Sequence, residues 1–169
     1  MIEKITTVAT VIAAVGCGLT AGVMLAFSVG VMPGLAGRPA PDGIAAMQRI
    51  NVAIVSPMFV TAFLGGAVAA VVAATGALIS GNGSRILIIV GALLFVLGCV
   101  VVTMAINVPL NDALAAVDPS GPAGVDVWSD YLARWTRWNH VRTAAAAGAS
   151  VLLILAAGRQ MSADGSLCL

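Results

Sequence analysis

The hydrophobic residues of this chain fall into four long runs that are almost free of charge, and polar residues collect between them. The runs cover about residues 6–31, 52–80, 86–108 and 143–158. A membrane-crossing helix needs about 20 apolar residues, so this pattern predicts four membrane helices. The fourth run is short, and we expect its helix to begin near Asp126, with an aromatic segment over 126–142 ahead of the span.

The connections complete the predicted fold. Asp42 is a candidate N-cap for a short helix over 44–51, which we expect at the membrane interface between the first two spans. We also expect Pro57 to kink the second span, and Pro109 to break the hydrogen-bond ladder at the end of the third and free carbonyl groups near Asn107. The sequence thus predicts an all-α, integral membrane four-helix bundle. It forms a single domain over 1–169, with both termini on one side and an extended fourth helix.

Composition removes most other classes of protein. Hydrophobic residues make up 60% of the chain, charged residues 9%, and the mean hydropathy is +1.07. A soluble domain has about 25% charged residues, so lipid is the expected solvent. We expect the cell membrane as the location. A net charge of +1 gives no basic surface for nucleic acid, and 169 residues leave no room for a separate catalytic module.

Small residues and thiols give weaker signals. Gly18 and Gly22 form a GxxxG pair, as do Gly30 and Gly34, which indicates either close helix packing or simply frequent glycine. A homo-oligomer is an open alternative. Three cysteines and one histidine show no metal-binding spacing, so no metal site is predicted. No cofactor is predicted either, although a quinone, or a haem held by His140, is not excluded.

The two sides of the predicted bundle differ in content, because the long connections over 32–51 and 107–142 hold almost every unusual residue. We call this side the polar end. It carries five arginines against three basic residues on the other side, so counting of Lys and Arg places it in the cytoplasm. The five arginines are Arg38, Arg49, Arg134, Arg137 and Arg142.

A helical wheel separates the faces of the fourth helix. Asp130, Arg134 and Arg137 form a charged face, and Asn139 lies opposite to it. We therefore expect Asn139 to face the bundle, with Trp135 and Thr136 beside it and with His140 and Arg142 at the margins of that face. Trp138 and Tyr131 also suit an aromatic belt at the membrane surface, as does Trp135, while Arg142 either snorkels or has a function.

Several short blocks, spread over most of the chain, resemble the anthrone oxygenase family of small membrane proteins. The blocks are Phe27-Ser28, Val31-Met32-Pro33, Met47-Gln48-x-x-Asn51, Pro57, Asn107-x-Pro109-x-Asn111 and Trp135-x-x-Trp138-Asn139-x-x-Arg142. Ser56 stands where the family pattern has Asn. The resemblance implies oxygenation of an anthrone to an anthraquinone with dioxygen, without an evident flavin or metal.

On this hypothesis the polar end supplies the chemistry. His140 is the best available general base, because imidazole exchanges a proton near neutral pH, and Asp112 is its substitute. The amides that could stabilise an oxyanion are those of Asn51, Asn107, Asn111 and Asn139, and Arg142 could hold it by charge. The remaining candidates for binding a flat hydrophobic aromatic substrate are Gln48, Trp135, Trp138, Ser28 and Thr103.

A rival interpretation comes from a different class of function. The chain could be a non-catalytic membrane protein that binds a small molecule, assists a transporter or belongs to a complex. The polar end would then be a binding site or a polar contact between helices. An alternating-access transporter is disfavoured, because the two halves show no inverted repeat.

Overall fold

The computed structural model describes residues 1–81, 83–163 and 165, and all regular elements in that part of the chain are helices. Cys168 lies outside the described residues. We number the helices α1 to α5, and their bounds are α1 Ile2–Ala36, α2 Ala40–Ala53, α3 Pro57–Ser80, α4 Arg85–Ala115 and α5 Gly124–Ala163. Helices α1, α3, α4 and α5 are long and apolar enough to cross a membrane.

The all-α four-helix bundle predicted from the hydropathy pattern is therefore confirmed. Helix α1 packs against α3 and α5, and α4 packs against the same two helices from the other side. The core between them is built mainly from alanines, such as Ala13, Ala70 and Ala146, together with Phe63 and Phe95. Large aliphatic side chains point outward along all four helices, as expected for helices surrounded by lipid.

The backbones of α1 and α3 approach each other closely at two glycines. A Cβ atom placed on Gly16 would lie 2.7 Å from the Cα atom of Gly66, so no side chain fits there. The predicted GxxxG pairs do not mark this contact. A Cβ on Gly18 would meet Ser150 at 3.1 Å, whereas Gly22, Gly30 and Gly34 face open space.

Three expectations, about where α2 and α3 begin and where α4 ends, are wrong. Pro57 does not kink a helix, because it is the first residue of α3, and Ser56 caps that helix by accepting a hydrogen bond from the Phe59 backbone N–H at 3.3 Å. Asp42 is not an N-cap, because α2 begins earlier, after Pro39. Pro109 does not end α4, which continues to Ala115.

Wide π-helical turns explain how α4 passes Pro109. Such turns replace the usual hydrogen bonds of α4 over Val96–Val101 and Thr103–Asn107, just ahead of the proline. Helix α1 contains a similar turn over Phe27–Val31. The turns over Phe27–Val31 and Thr103–Asn107 lie near the polar end of the bundle. There, a second hydrophobic cluster, which includes Ile44, Met47 and Trp128, packs α2 against α5.

Candidate functional site

Arg142 is a buried cation on α5. Its exposed fraction is 3%, and it donates hydrogen bonds from Nη2 to Asn139 Oδ1 at 2.7 Å and from Nη1 to Thr103 Oγ1 at 3.1 Å. Its guanidinium carbon lies 5.1 Å from the centre of the Trp135 ring. The buried Nε has no acceptor, and the ion pairs found among the described residues join other, exposed arginines to Asp42 and Asp130. Arg142 therefore carries a charge that the surrounding helices do not neutralise.

Asn139 ties this arginine to α1. Its amide nitrogen donates to the Met24 carbonyl oxygen at 2.7 Å and to Ser28 Oγ at 2.8 Å, while its oxygen accepts from Arg142. Ser28 lies in the wide turn of α1, and its hydroxyl is also 3.5 Å from that of Thr143. As the wheel predicts, Asn139 faces inward, and its exposed fraction is 0%. Both hydrogen bonds that the Asn139 nitrogen donates go to α1.

Asn111 on α4 is held by two aromatic side chains of α5. The hydroxyl of Tyr131 and Nε1 of Trp135 each donate to its Oδ1 at 2.8 Å. Asn51 at the end of α2 adds a longer contact, from its Nδ2 to the Tyr131 hydroxyl at 3.5 Å. Tyr131 stacks on Trp128 and on Trp135, with ring centres 5.7 and 6.1 Å apart. The three helices therefore meet in one polar and aromatic network.

A cavity of about 120 Å³ lies where these groups meet. All five helices or the segments next to them contribute to it. Its polar lining consists of Asn51, Thr103, Asn111, Trp135 and Arg142. Its apolar lining consists of Val23, Met24, Phe27, Ile54, Val55, Phe59 and Val108. Of the described residues that line the cavity, Arg142 alone is charged, so the space is an apolar pocket with one cationic group.

Two other predicted site residues hold the fold near this cavity. Asn107 is buried and donates from Nδ2 to the Trp135 carbonyl oxygen at 3.3 Å, while its own Oδ1 has no partner. Gln48 lies outside the cavity lining and donates to the carbonyl oxygens of Leu114 and Val117, both at 2.9 Å. Gln48 thus fastens α2 to the end of α4, and its nitrogen is already used.

The structure does not bring the two predicted bases to this cavity. His140 is exposed and lines a different, open groove of about 410 Å³ between the end of α1 and α5, together with Met32 and Arg137. Asp112 is exposed at the surface of α4. Trp138 is half-buried and is not among the residues that line either space. These three residues therefore do not line the cavity that Arg142 and Asn111 share.

Tyr131 is the residue of this network that the sequence analysis missed. Its residue type and position suit an aromatic belt at the membrane surface, yet its exposed fraction is 2%. Tyr131, Trp135, Asn139 and Arg142 are spaced by four, four and three residues, so they form one stripe along the helix. That spacing is the signal that places Tyr131 with Asn139 rather than at the surface.

The sequence predicts no cluster of side chains that would bind a metal ion. Within the described residues, no three His, Cys, Asp or Glu side chains come together. Cys17 and Cys99 are buried and free. The prediction that the protein needs no cofactor stays a prediction.

Fold and site together define a class: a small helical membrane protein with an apolar cavity beside a buried cation at one end of the bundle. Comparison with known families gives a match to the anthrone oxygenase family over residues 47–152, which is more than half of the chain. The chain belongs to the anthrone oxygenase family, which indicates an oxygenase-type role. All polar residues that line the cavity fall in the matched range. No curated protein and no solved structure matches this chain.

Proposed function

We propose that this protein is a membrane-embedded oxygenase that acts on a flat hydrophobic substrate of the anthrone type, with dioxygen as the second substrate. The observation that carries the proposal is Arg142, a buried cation without a carboxylate partner at the wall of an apolar cavity. Burying such a charge costs several kcal/mol unless something compensates it, so an anion formed during the reaction is the expected partner.

The chemistry balances without an external electron donor. Loss of one proton from the methylene group of an anthrone to water leaves an anion whose charge is shared with the carbonyl oxygen, where Arg142 would hold it. The anion reduces dioxygen, a carbon–oxygen bond forms at the former methylene carbon, and the peroxide takes up a proton. Loss of water then breaks the O–O bond and the remaining C–H bond. One dioxygen is consumed, and one quinone and one water are formed.

The size of the cavity limits what enters it. Pockets that enclose a whole drug-sized ligand usually have about 300–1,000 Å³, whereas this cavity has about 120 Å³. We therefore place only the oxygen-bearing edge of the substrate beside Arg142. The aromatic side chains Phe27, Phe59 and Trp135 also line the cavity and offer apolar surfaces for the rings.

The first test is an absorbance spectrum of the detergent-purified protein, followed by oxygen uptake with emodin anthrone. We expect uptake faster than in buffer, with anthraquinone as the product. Arg142→Gln should lower the rate by about 10²–10³, as removal of one oxyanion-stabilising group does elsewhere. Arg137→Gln is the matched control, because Arg137 lies on the same helix but is exposed.

The outcomes separate the alternatives. Equal rates for Arg142→Gln and for the unchanged protein would contradict the role of Arg142. A visible chromophore in the purified protein would move the chemistry to a cofactor. Because Arg142→Gln could also lower the rate by unfolding the bundle, its thermal unfolding in detergent is compared with that of Arg137→Gln.

A second candidate function rests on the positions of His140 and Asp112. Neither residue lines the cavity, so its described lining contains no side chain suited to remove a proton. This observation favours a protein that binds a hydrophobic anion without transforming it. Binding of the anthrone without oxygen uptake above that of buffer would support this second function and contradict the first.

A further inference from the structure

We infer that the cavity is a two-point receptor for a single oxyanion, with Asn111 as the second donor beside Arg142, so that its ligand is recognised in the ionised form. The inference rests on the proposed function for the position of the substrate edge. It goes beyond the proposed function in two respects: it names the amide that donates to the oxyanion, and it states that the ligand binds in its ionised form.

The orientation of the Asn111 amide follows from its partners. The indole nitrogen of Trp135 can only donate, so the atom of Asn111 that lies 2.8 Å from it must be the oxygen. The hydroxyl of Tyr131 donates to the same oxygen at 2.8 Å. The amide nitrogen is therefore the free end of this side chain. It has no acceptor among the described residues, and Asn111 lines the cavity.

The other three asparagines are occupied in different ways. The nitrogen of Asn139 is used by the Met24 carbonyl oxygen and Ser28, and its oxygen by Arg142. The nitrogen of Asn107 is used by the Trp135 carbonyl oxygen. The nitrogen of Asn51 is directed to the Tyr131 hydroxyl. Asn111 is thus the one member of this set whose amide nitrogen has no protein acceptor in the described part of the chain.

Charge and shape then define the ligand. Arg142 contributes one positive charge, Asn111 contributes neutral N–H donors, and both residues line the same small cavity. Hydrogen bonds to a charged group are about twice as strong as neutral ones, so an anionic oxygen is favoured over a neutral hydroxyl or ether. The apolar walls favour an aromatic ring behind that oxygen. A phenolate or an enolate of an aromatic ketone meets both conditions.

The test measures binding and not turnover. The probe is 4-nitrophenol, whose phenolate absorbs visible light, at a pH where most of the free probe is protonated. We expect added protein to raise the phenolate absorbance above that of detergent alone. The neutral ether 4-nitroanisole should compete at least about tenfold more weakly. Equal competition by the ether would overturn the inference.

Asn111→Asp separates the donor from a structural role. A carboxylate at this position still accepts the hydrogen bonds of Tyr131 and Trp135, but it offers no N–H and places a negative charge near Arg142. We expect it to weaken phenolate binding at least about tenfold, whereas Asp112→Asn, at the exposed neighbouring position, should bind as the unchanged protein does. Unweakened binding by Asn111→Asp would contradict the assignment.

Two further results keep this inference distinct from the oxygenase proposal. In the unchanged protein, 4-nitrophenol binding measured over pH should follow the phenolate fraction of the probe. Binding that follows the protonated form would overturn the inference without any variant. Phenolate binding without oxygen uptake would support the receptor and contradict the oxygenase, and oxygen uptake without phenolate binding would do the reverse.

Discussion

His140 tests how far a single residue can be interpreted from its chemical type. It is the one histidine of the chain, and its imidazole suits a general base. On α5, however, it follows Asn139 directly, and a step of about 100° turns it away from the bundle. The structure places it in the open groove and Asn139 in the interior.

We therefore expect His140→Ala to keep an oxygen-uptake rate within about twofold of the unchanged protein, because surface changes away from a site have small effects. The measurement is the rate with emodin anthrone over a range of pH values. A loss of about 10²-fold or more would instead restore His140 as the general base.

For the single residue Asn139, the sequence predicted the direction of the side chain but not its hydrogen-bond partners. The wheel uses one helix, and it correctly turned Asn139 inward and the exposed pair of Asp130 and Arg134 outward. The acceptors for the Asn139 amide nitrogen are the Met24 carbonyl oxygen and Ser28 Oγ, more than 100 positions earlier in the chain. Such contacts depend on how helices are rotated against one another, which no single helical wheel contains.

Among the elements, the contact between α1 and α3 depends on two glycines. A methyl group on Gly16 would lie 2.7 Å from the Gly66 Cα atom and 2.9 Å from the Ala62 carbonyl oxygen, both of which belong to the backbone. Because these atoms cannot rotate away, the helices would have to separate. We expect Gly16→Ala to lower the free energy of unfolding by about 1–3 kcal/mol.

The matched control is Gly22→Ala on the same helix, where a Cβ atom meets nothing within 4 Å. We expect it to leave stability unchanged or to raise it slightly, because alanine favours a helix over glycine. Thermal unfolding of both variants in the same detergent measures the difference. Equal melting temperatures would show that the close approach at Gly16 is not required for packing.

Prolines show why the ends of the elements were harder to predict than their number. The apolar runs predicted four helices, since an uncharged run of about 20 apolar residues matches the thickness of a bilayer core. A proline, in contrast, is compatible with the first turn of a helix, a kink or an end. Pro57 starts α3, and Pro109 is accommodated inside α4 by a wide turn, so the local sequence alone did not distinguish these cases.

For the whole molecule, the burial of Arg142 changes the charge balance that sets orientation. Removing it from the surface leaves Arg38, Arg49, Arg134 and Arg137 at the polar end. The other end carries Lys4, Arg85 and Arg159. The polar end thus still carries one basic residue more than the other end, so we still predict that it lies in the cytoplasm.

The measurement is labelling of an introduced thiol with a maleimide that does not cross membranes. In a chain whose Cys168 is replaced by serine, Ser120→Cys, in the exposed connection between α4 and α5, should react in inverted vesicles but not in intact cells. Glu3→Cys, exposed at the other end, should show the opposite pattern. Reaction of Ser120→Cys in intact cells would reverse the predicted orientation.

The wide turn over Phe27–Val31 has a consequence for comparing relatives of this protein. A π-helical turn holds one residue more than an α-helical turn, so a single inserted residue is enough to produce it. Deleting one residue there would keep the hydropathy profile but replace the wide turn that holds Ser28 by an ordinary α-helical turn. Ser28 and the Met24 carbonyl oxygen would then no longer both face Asn139. An alignment gap at this point would therefore separate relatives that keep the cavity from those that keep only the bundle.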